Sequence, residues 1–279
     1  MAKGANFQMV SYKENFLDLH KKSICMHLHF TQLGIRRLVF FSVLLLLIFC
    51  RTAQAQVMYT GGSNLQLLYG RHLNQSGDMA TITFEHFGMR GAFEHFGFAD
   101  LSNNVSLQSP ALYAEWYPKV SLSRATGSEV RLGPVNDVLL GGGVNVLFGG
   151  TEDFFVYLLG PAFKFALPGQ GLLQLETYYY KQHGSEYNGT FQITPSWDVK
   201  LPASEIIHLR FRGFMDFIGD RGPGAAQYLT QPQLFLDLGN LKGKPGRVYA
   251  GTEWRYWHNV VGLRDVNESI LQVNLLFQL

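Results

Sequence analysis

The sequence predicts an all-β chain: a transmembrane antiparallel up-and-down β-barrel of about twelve strands, behind a cleaved export signal. Three observations point there. The last 220 residues or so run as segment after segment of alternating side chains, with no buried-helix pattern among them. In nearly every segment the polar set carries charges, on the side where a soluble core would be dry. Aromatic residues are plentiful at 14% and charged ones scarce at 16%, a balance that suits a wall facing lipid.

The N-terminal element is an address. Arg36 and Arg37 precede a short apolar run over 38–49, and Ala53-Gln-Ala55 follows. That is a positive region, a hydrophobic region and a small-residue cleavage site, which places the mature start at Gln56. The apolar run is short for a membrane-spanning helix. Residues 1–55 are therefore read as an N-terminal extension and secretory signal peptide, and 56–279 as one barrel domain. Met26 would give a signal of ordinary length. Cys50 follows the bulky Phe49, which argues against lipoprotein processing.

The formal charge of +2 belongs mostly to that leader, which carries seven basic and two acidic residues of the chain's 23 and 21. Removing it leaves 16 basic and 19 acidic residues, a net of −3. Nucleic-acid binding finds no support there. Both cysteines, Cys25 and Cys50, also lie in the leader, so the mature region has no disulfide, thiol nucleophile or thiolate metal site.

The expected strands run over 63–73, 78–88, 91–100, 111–122, 136–148, 154–166, 172–182, 190–201, 206–218, 227–239, 246–258 and 268–279. Each has the length of a membrane-crossing strand, and an even count brings both termini to one side. The clearest is 190–201. Phe191, Ile193, Pro195, Trp197 and Val199 take one face, and Gln192, Thr194, Ser196, Asp198 and Lys200 the other. Residues 89–91, 167–171 and 202–204 read as tight inner turns, and 101–110, 183–189, 219–226 and 259–267 as longer outer loops. Pro118, Pro161, Pro195 and Pro232 fall inside strands, where each removes a ladder donor, so bulges or irregular pairing are expected there.

Parity sorts the lumen. The inward set includes Glu85 in 78–88, and Tyr113, Glu115, Tyr117 and Lys119 in 111–122. It includes Gln174, Glu176, Tyr178 and Tyr180 in 172–182, and His208, Arg210, Arg212, Phe214 and Asp216 in 206–218. In 246–258 it includes Arg247, Tyr249, Glu253, Arg255 and Trp257. Unpaired charges in a narrow bore are costly, so Glu/Arg pairs or water are expected. A solid, side-chain-filled barrel and a slender pore lined by rings and charges both fit this pattern.

The stretches FEHFGFAD at 93–100, LYAEWYPK at 112–119, LGP at 132–134 and RYWH at 255–258 stand in an order that resembles the nucleoside-specific channel-forming outer-membrane (Tsx-like) family. The resemblance covers the first third of the barrel and one late strand. It implies a twelve-stranded monomeric barrel that passes nucleosides by diffusion along a narrow bore, with Tyr113, Glu115 and Lys119 on its wall. Glu94, Phe96, Phe98 and Asp100 match the first motif; Phe96 and Phe98 are read as lipid-facing and Asp100 as an outer-rim residue. His95 stands where the family has an aromatic. No cofactor is implied. The partners implied are outer-membrane lipid, the barrel-assembly machinery and small solutes, nucleosides first among them.

The rivals are a non-transporting structural barrel, a soluble β-sandwich or lipocalin-like carrier, and an outer-membrane hydrolase. The outward rings Trp116, Trp197, Trp254 and Tyr256 suit interfacial girdles rather than a soluble surface. A lipase needs Ser and His together on the lipid face; His86 faces outward, and no outward Ser stands near it along its strand. A protease needs paired Asp and His at the rim, and Asp100, His183 and Asp220 have no recognisable spacing.

Overall fold

The computed structural model describes residues 60–279 apart from 75–76, 105–108, 150–152, 168–170 and 185. The signal-peptide reading and the start at Gln56 lie outside the described residues. The strands are β1 (Thr60–His72), β2 (Asp78–Arg90), β3 (Phe93–Asn104), β4 (Ser109–Ser121), β5 (Val135–Gly149), β6 (Phe154–Phe165) and β7 (Gly171–Gln182). They continue as β8 (Thr190–Pro202), β9 (His208–Ile218), β10 (Gln227–Thr230), β11 (Gln233–Asp237), β12 (Val248–His258) and β13 (Glu268–Gln278). Each pairs antiparallel with its neighbours, and β13 closes onto β1 from Asn64↔Gln278 to His72↔Ile270. β10 and β11 are two halves of one strand, both lying between β9 and β12, so the closed barrel has twelve strands.

Closure satisfies the backbone internally, which is what a sheet needs in order to sit in hydrocarbon. The exterior agrees: Leu67, Ile82, Leu140, Leu159, Phe191 and Val273 are exposed apolar side chains on six different strands. Inward positions along β1, β2 and β13 are mostly polar, with Gln66, Thr83, Glu85, Gln272 and Asn274 buried beside the apolar Leu68, Met79, Ile270 and Leu276. An apolar outside over a polar inside is the pattern of an outer-membrane barrel.

Three of the four prolines leave two consecutive residues out of the ladder with the following strand. The gap at Pro118 falls between β4 and β5, at Pro161 between β6 and β7, and at Pro195 between β8 and β9. Register is the same on both sides of every gap. Pro232 separates β10 from β11, again in unbroken register, and its carbonyl still accepts from the Trp254 N–H at 3.1 Å. The prolines therefore interrupt pairing without inserting a residue. The register shift that does occur is elsewhere, between Val135 and Asp137.

Other differences have local causes. The connector 122–134 lies on the side of the termini and is long; its first part is a short helix, α1 (Leu122–Thr126), capped by the Ser121 hydroxyl, which accepts from the Arg124 N–H at 3.1 Å. Arg247 is not in the barrel wall, because β12 begins at Val248; it is exposed in the preceding turn. β6 breaks the polar-inside rule, since Val156, Leu158 and Ala162 are buried. Val156 and Leu158 pack with Tyr117, Tyr178 and Tyr180 into an apolar ridge on one side of the bore.

Candidate functional site

The lumen has two levels. A cavity of about 540 Å³ occupies its middle and the part nearer the chain termini, reaching from Gly62 and Gln278 to Asp100 and Asp216. Beyond Asp216, toward the far end, the space shrinks to about 20 Å³ between Tyr113, Phe154, Tyr180, Arg221, Trp257 and Val261, room for roughly one water.

Of the predicted lining residues, Glu85, Glu115, Glu176 and Glu253 border the large cavity together with Lys119, Arg210 and Arg212. Tyr113 and Tyr180 border the constriction. Tyr178 and Arg255 touch neither space. Tyr178 is buried with its ring stacked 6.1 Å from Tyr117, and Arg255 lies over the Trp257 ring with Nε 2.9 Å from Glu268.

Strand β3 corrects the reading of its own face. Glu94, Phe96, Phe98 and Asp100 all border the large cavity, while Phe93 and Leu101 are exposed outside. Phe96 and Phe98 are thus lumenal rather than lipid-facing, and Asp100 lies inside the bore rather than at its rim. The reason is parity: Glu94 and Asp100 share a face with the two rings, and a strand in hydrocarbon cannot turn two carboxylates to lipid.

Cations on the lumen wall are tied to carboxylates. Arg210 grips Asp198 with Nε at 2.8 Å and Nη2 at 2.5 Å. Arg212 reaches across the bore to both oxygens of Glu85 at 2.9 and 2.8 Å. Lys164 donates to both oxygens of Glu94 at 2.8 and 2.7 Å, and Arg124 joins at 2.6 Å. Lys119 donates to Glu176, both side chains being almost fully buried. Such charge-assisted pairs hold long side chains against the wall and keep the bore from filling.

Four other carboxylates in the same cavity have only neutral partners among the described residues. Asp100 accepts from the Thr83 hydroxyl at 2.6 Å, and Glu115 accepts from the Tyr113 hydroxyl. Asp216 accepts from Thr194 Oγ1 at 2.5 Å and Gln192 Nε2 at 3.2 Å. Glu253 accepts from Gln233 Nε2 at 2.5 Å and Gln231 Nε2 at 3.1 Å. The cavity is lined by eight acidic and four basic side chains, a formal excess of four negative charges.

The constriction is made by two loops folded into the barrel mouth. Arg221, in the loop 219–226, is fully buried; it donates to Gln182 Oε1 at 2.8 Å, the Ala225 carbonyl at 3.2 Å and the Val261 carbonyl at 2.9 Å. Val261, in the loop 259–267, sits at φ 49° and ψ 23°, a left-handed conformation that is strained for a β-branched residue. Asn259 stitches the loops further, donating from Nδ2 to the Ala226 carbonyl at 2.8 Å. Sequence reasoning missed Arg221 because its burial depends on loop folding, which no periodicity encodes.

On the lipid side, Ser63 Oγ lies 2.8 Å from His86 Nδ1, with the His95 ring 5.1 Å from that of His86. An outward Ser partner for His86 therefore exists, but across the ladder (Ser63↔His86) rather than along the strand, where sequence parity looks. The backbone around the pair runs within paired strands. The contact satisfies two polar groups at a lipid-facing position.

No family model matches the sequence, and no curated protein does. Solved structures that resemble it include porins. A KdgM porin in complex with disordered oligogalacturonate is 8% identical, with a TM-score of 0.45, covering 77% of this chain and 98% of that one. A NanC porin is 7% identical, with a TM-score of 0.47, covering 77% and 100%. OccK11 (OpdR) of Pseudomonas aeruginosa is 7% identical, with a TM-score of 0.39, covering 79% and 96%. Likeness of this degree bears on neither solute nor partner.

Proposed function

We propose that this chain is a bacterial outer-membrane channel for the passive diffusion of small solutes, with nucleosides as the first class to test. The observation that carries the reading is the large cavity itself. Its volume falls within the range of small-molecule sites, and its wall alternates rings with fixed ionisable groups. Phe96, Phe98, Tyr117 and Phe214 offer faces for a flat ring. The carboxylates and amides beside them accept hydrogen bonds from its polar edge. The nucleoside assignment adds the motif resemblance at 93–100, 112–119 and 255–258. Transport of this kind needs no cofactor and no energy coupling.

The constriction at the far end favours a second reading, a non-transporting structural barrel, because the space between its side chains is about 20 Å³, roughly that of one water. Planar-bilayer recording of the refolded chain from Gln56, with adenosine and thymidine titrated in, separates the two. Conductance steps blocked by nucleosides at submillimolar levels support the full reading. Steps without block keep the channel and remove the nucleoside. Silence from a folded, heat-modifiable barrel overturns the channel.

A further inference from the structure

The fixed charges of the lumen are distributed unevenly. At the level of the large cavity, Lys119, Lys164, Arg210 and Arg212 are each committed to a carboxylate. Asp100, Glu115, Asp216 and Glu253 have no cation bonded to them among the described residues; Arg255, itself held by Glu268, is within Coulombic reach of Asp100 and Glu253. The four carboxylates stand on β3, β4, β9 and β12, so they surround the bore rather than lining one side of it. Asp216 is within Coulombic reach of Glu115, and Glu253 of Asp100. Carboxylates gathered in a narrow space repel each other unless a positive charge lies between them.

A second observation points the same way. Gln233 lies on the cavity wall beside Glu253 and is only 7% exposed. Its amide nitrogen donates to the Glu253 carboxylate and, at 3.1 Å, to Gln66 Oε1, which fixes the orientation of the amide. Its Oε1 is left buried with no donor. Gln192, 1% exposed, repeats the arrangement beside Asp216: its nitrogen serves the carboxylate, and its Oε1 has no donor. Buried acceptors of this kind are costly unless a donor arrives. Both are acceptors, and both adjoin cation-free carboxylates.

Aromatic faces complete the site. Phe98 stands in register between Glu85 and Glu115, and Phe214 borders the same cavity. Rings beside carboxylates stabilise an organic ammonium group through their π faces while the carboxylates take its N–H donors.

We infer that the middle of the lumen is a binding site for the ammonium group of a small organic cation, held by Asp100, Glu115, Asp216 and Glu253 with Gln233 as an added acceptor. This rests on the reading of the cavity as a solute path and names the charge class of solute. A neutral nucleoside would use the rings and leave the four carboxylates uncompensated.

The test is equilibrium binding to the refolded chain in neutral detergent, by isothermal titration calorimetry, with phenethylammonium and its neutral analogue 2-phenylethanol as probes. The amine should bind at least about tenfold tighter than the alcohol, the effect of one charge-assisted contact. Glu115→Gln with Asp216→Asn should erase most of that difference. Glu253→Gln alone should reduce it, and serves if the double variant does not fold by the heat-modifiability criterion. Equal affinity for the two probes, or a preference that survives the substitutions, overturns the site. Conductance is a separate readout: a silent barrel that still prefers the amine overturns the channel and keeps the site, and a conducting barrel without preference does the reverse.

Discussion

Replacing Arg221 by Ala should open the far end of the barrel. In the folded loops its guanidinium bridges the loop 219–226 to the loop 259–267 through the Val261 carbonyl at 2.9 Å. Its other two bonds, to Gln182 and Ala225, anchor it to the wall and to its own loop. Only the first resists separation of the loops. A hydrogen bond from a charged donor contributes about 1.5–3 kcal/mol. The left-handed backbone of Val261 pulls the other way, by about 1–3 kcal/mol. The bridge and the strain are thus of comparable size, and removing the bridge leaves only the Asn259–Ala226 and Ala225–Gly262 hydrogen bonds to hold the loops against that strain. The open-to-closed ratio should rise roughly 10- to 150-fold. The assay is single-channel recording, reading the fraction of time spent in the larger conducting state. Arg264→Ala removes the same charge from an exposed position in the same loop and should change nothing. Val261→Gly keeps the carbonyl and removes the strain, so it should shift the ratio toward closed. An Arg221→Ala barrel that folds but gates like the parent would refute the reasoning, as would a Val261→Gly variant that opens more often.

Two further outcomes follow from the wall. Leu159, 70% exposed at the centre of β6, should cost about 2–4 kcal/mol in bilayer-folding equilibria when changed to Arg, against less than about 0.5 kcal/mol if that face met water; a change within the smaller figure contradicts the lipid assignment. Lys119→Met strands the buried Glu176 carboxylate and should destabilise the barrel by about 3–5 kcal/mol, whereas Lys119→Met with Glu176→Leu should recover most of that loss in urea titrations; a double variant as weak as the single one would show that the pair itself supplies the stability.

The strands were legible because a half-lipid, half-lumen wall imposes a period of two, and the expected start of β2 at 78, of β6 at 154 and of β8 at 190 coincide with the observed ones. Proline positions were legible, but not their effect: an absent N–H empties one side of the ladder and need not add a residue, so the register continues through each gap. The face of β3 was misread because Phe93, Phe96 and Phe98 look alike in a sequence; its two acids, not its rings, decide the matter. Cross-strand facts were out of reach. Ser63 against His86, and Arg212 spanning to Glu85, depend on register and closure, which a single strand does not carry. Arg221 sits in an Arg-Gly-Pro-Gly turn that reads as an exposed loop, and it becomes buried only because two loops fold inward together.

The ladder gaps and the lumen charges meet at β9. It is the strand bordered on one side by the gap at Pro195 and on the other by the break at Pro232, so it gives up backbone pairing along both edges. It also carries Arg210, Arg212 and Asp216. Arg210 ties it sideways to Asp198 of β8, and Arg212 ties it across the bore to Glu85 of β2. Charge-assisted bonds here take over part of the positioning that backbone bonds do elsewhere in the wall. The consequence for the bore is geometric. With Arg210 committed to Asp198 and Arg212 to Glu85, Asp216 two turns of the pleat further along is left without a cation on its own strand. The uncompensated charge at mid-lumen therefore arises from how β9 is held in place, and a substitution that frees Arg212 from Glu85 would change the attachment of the strand and the charge of the path together.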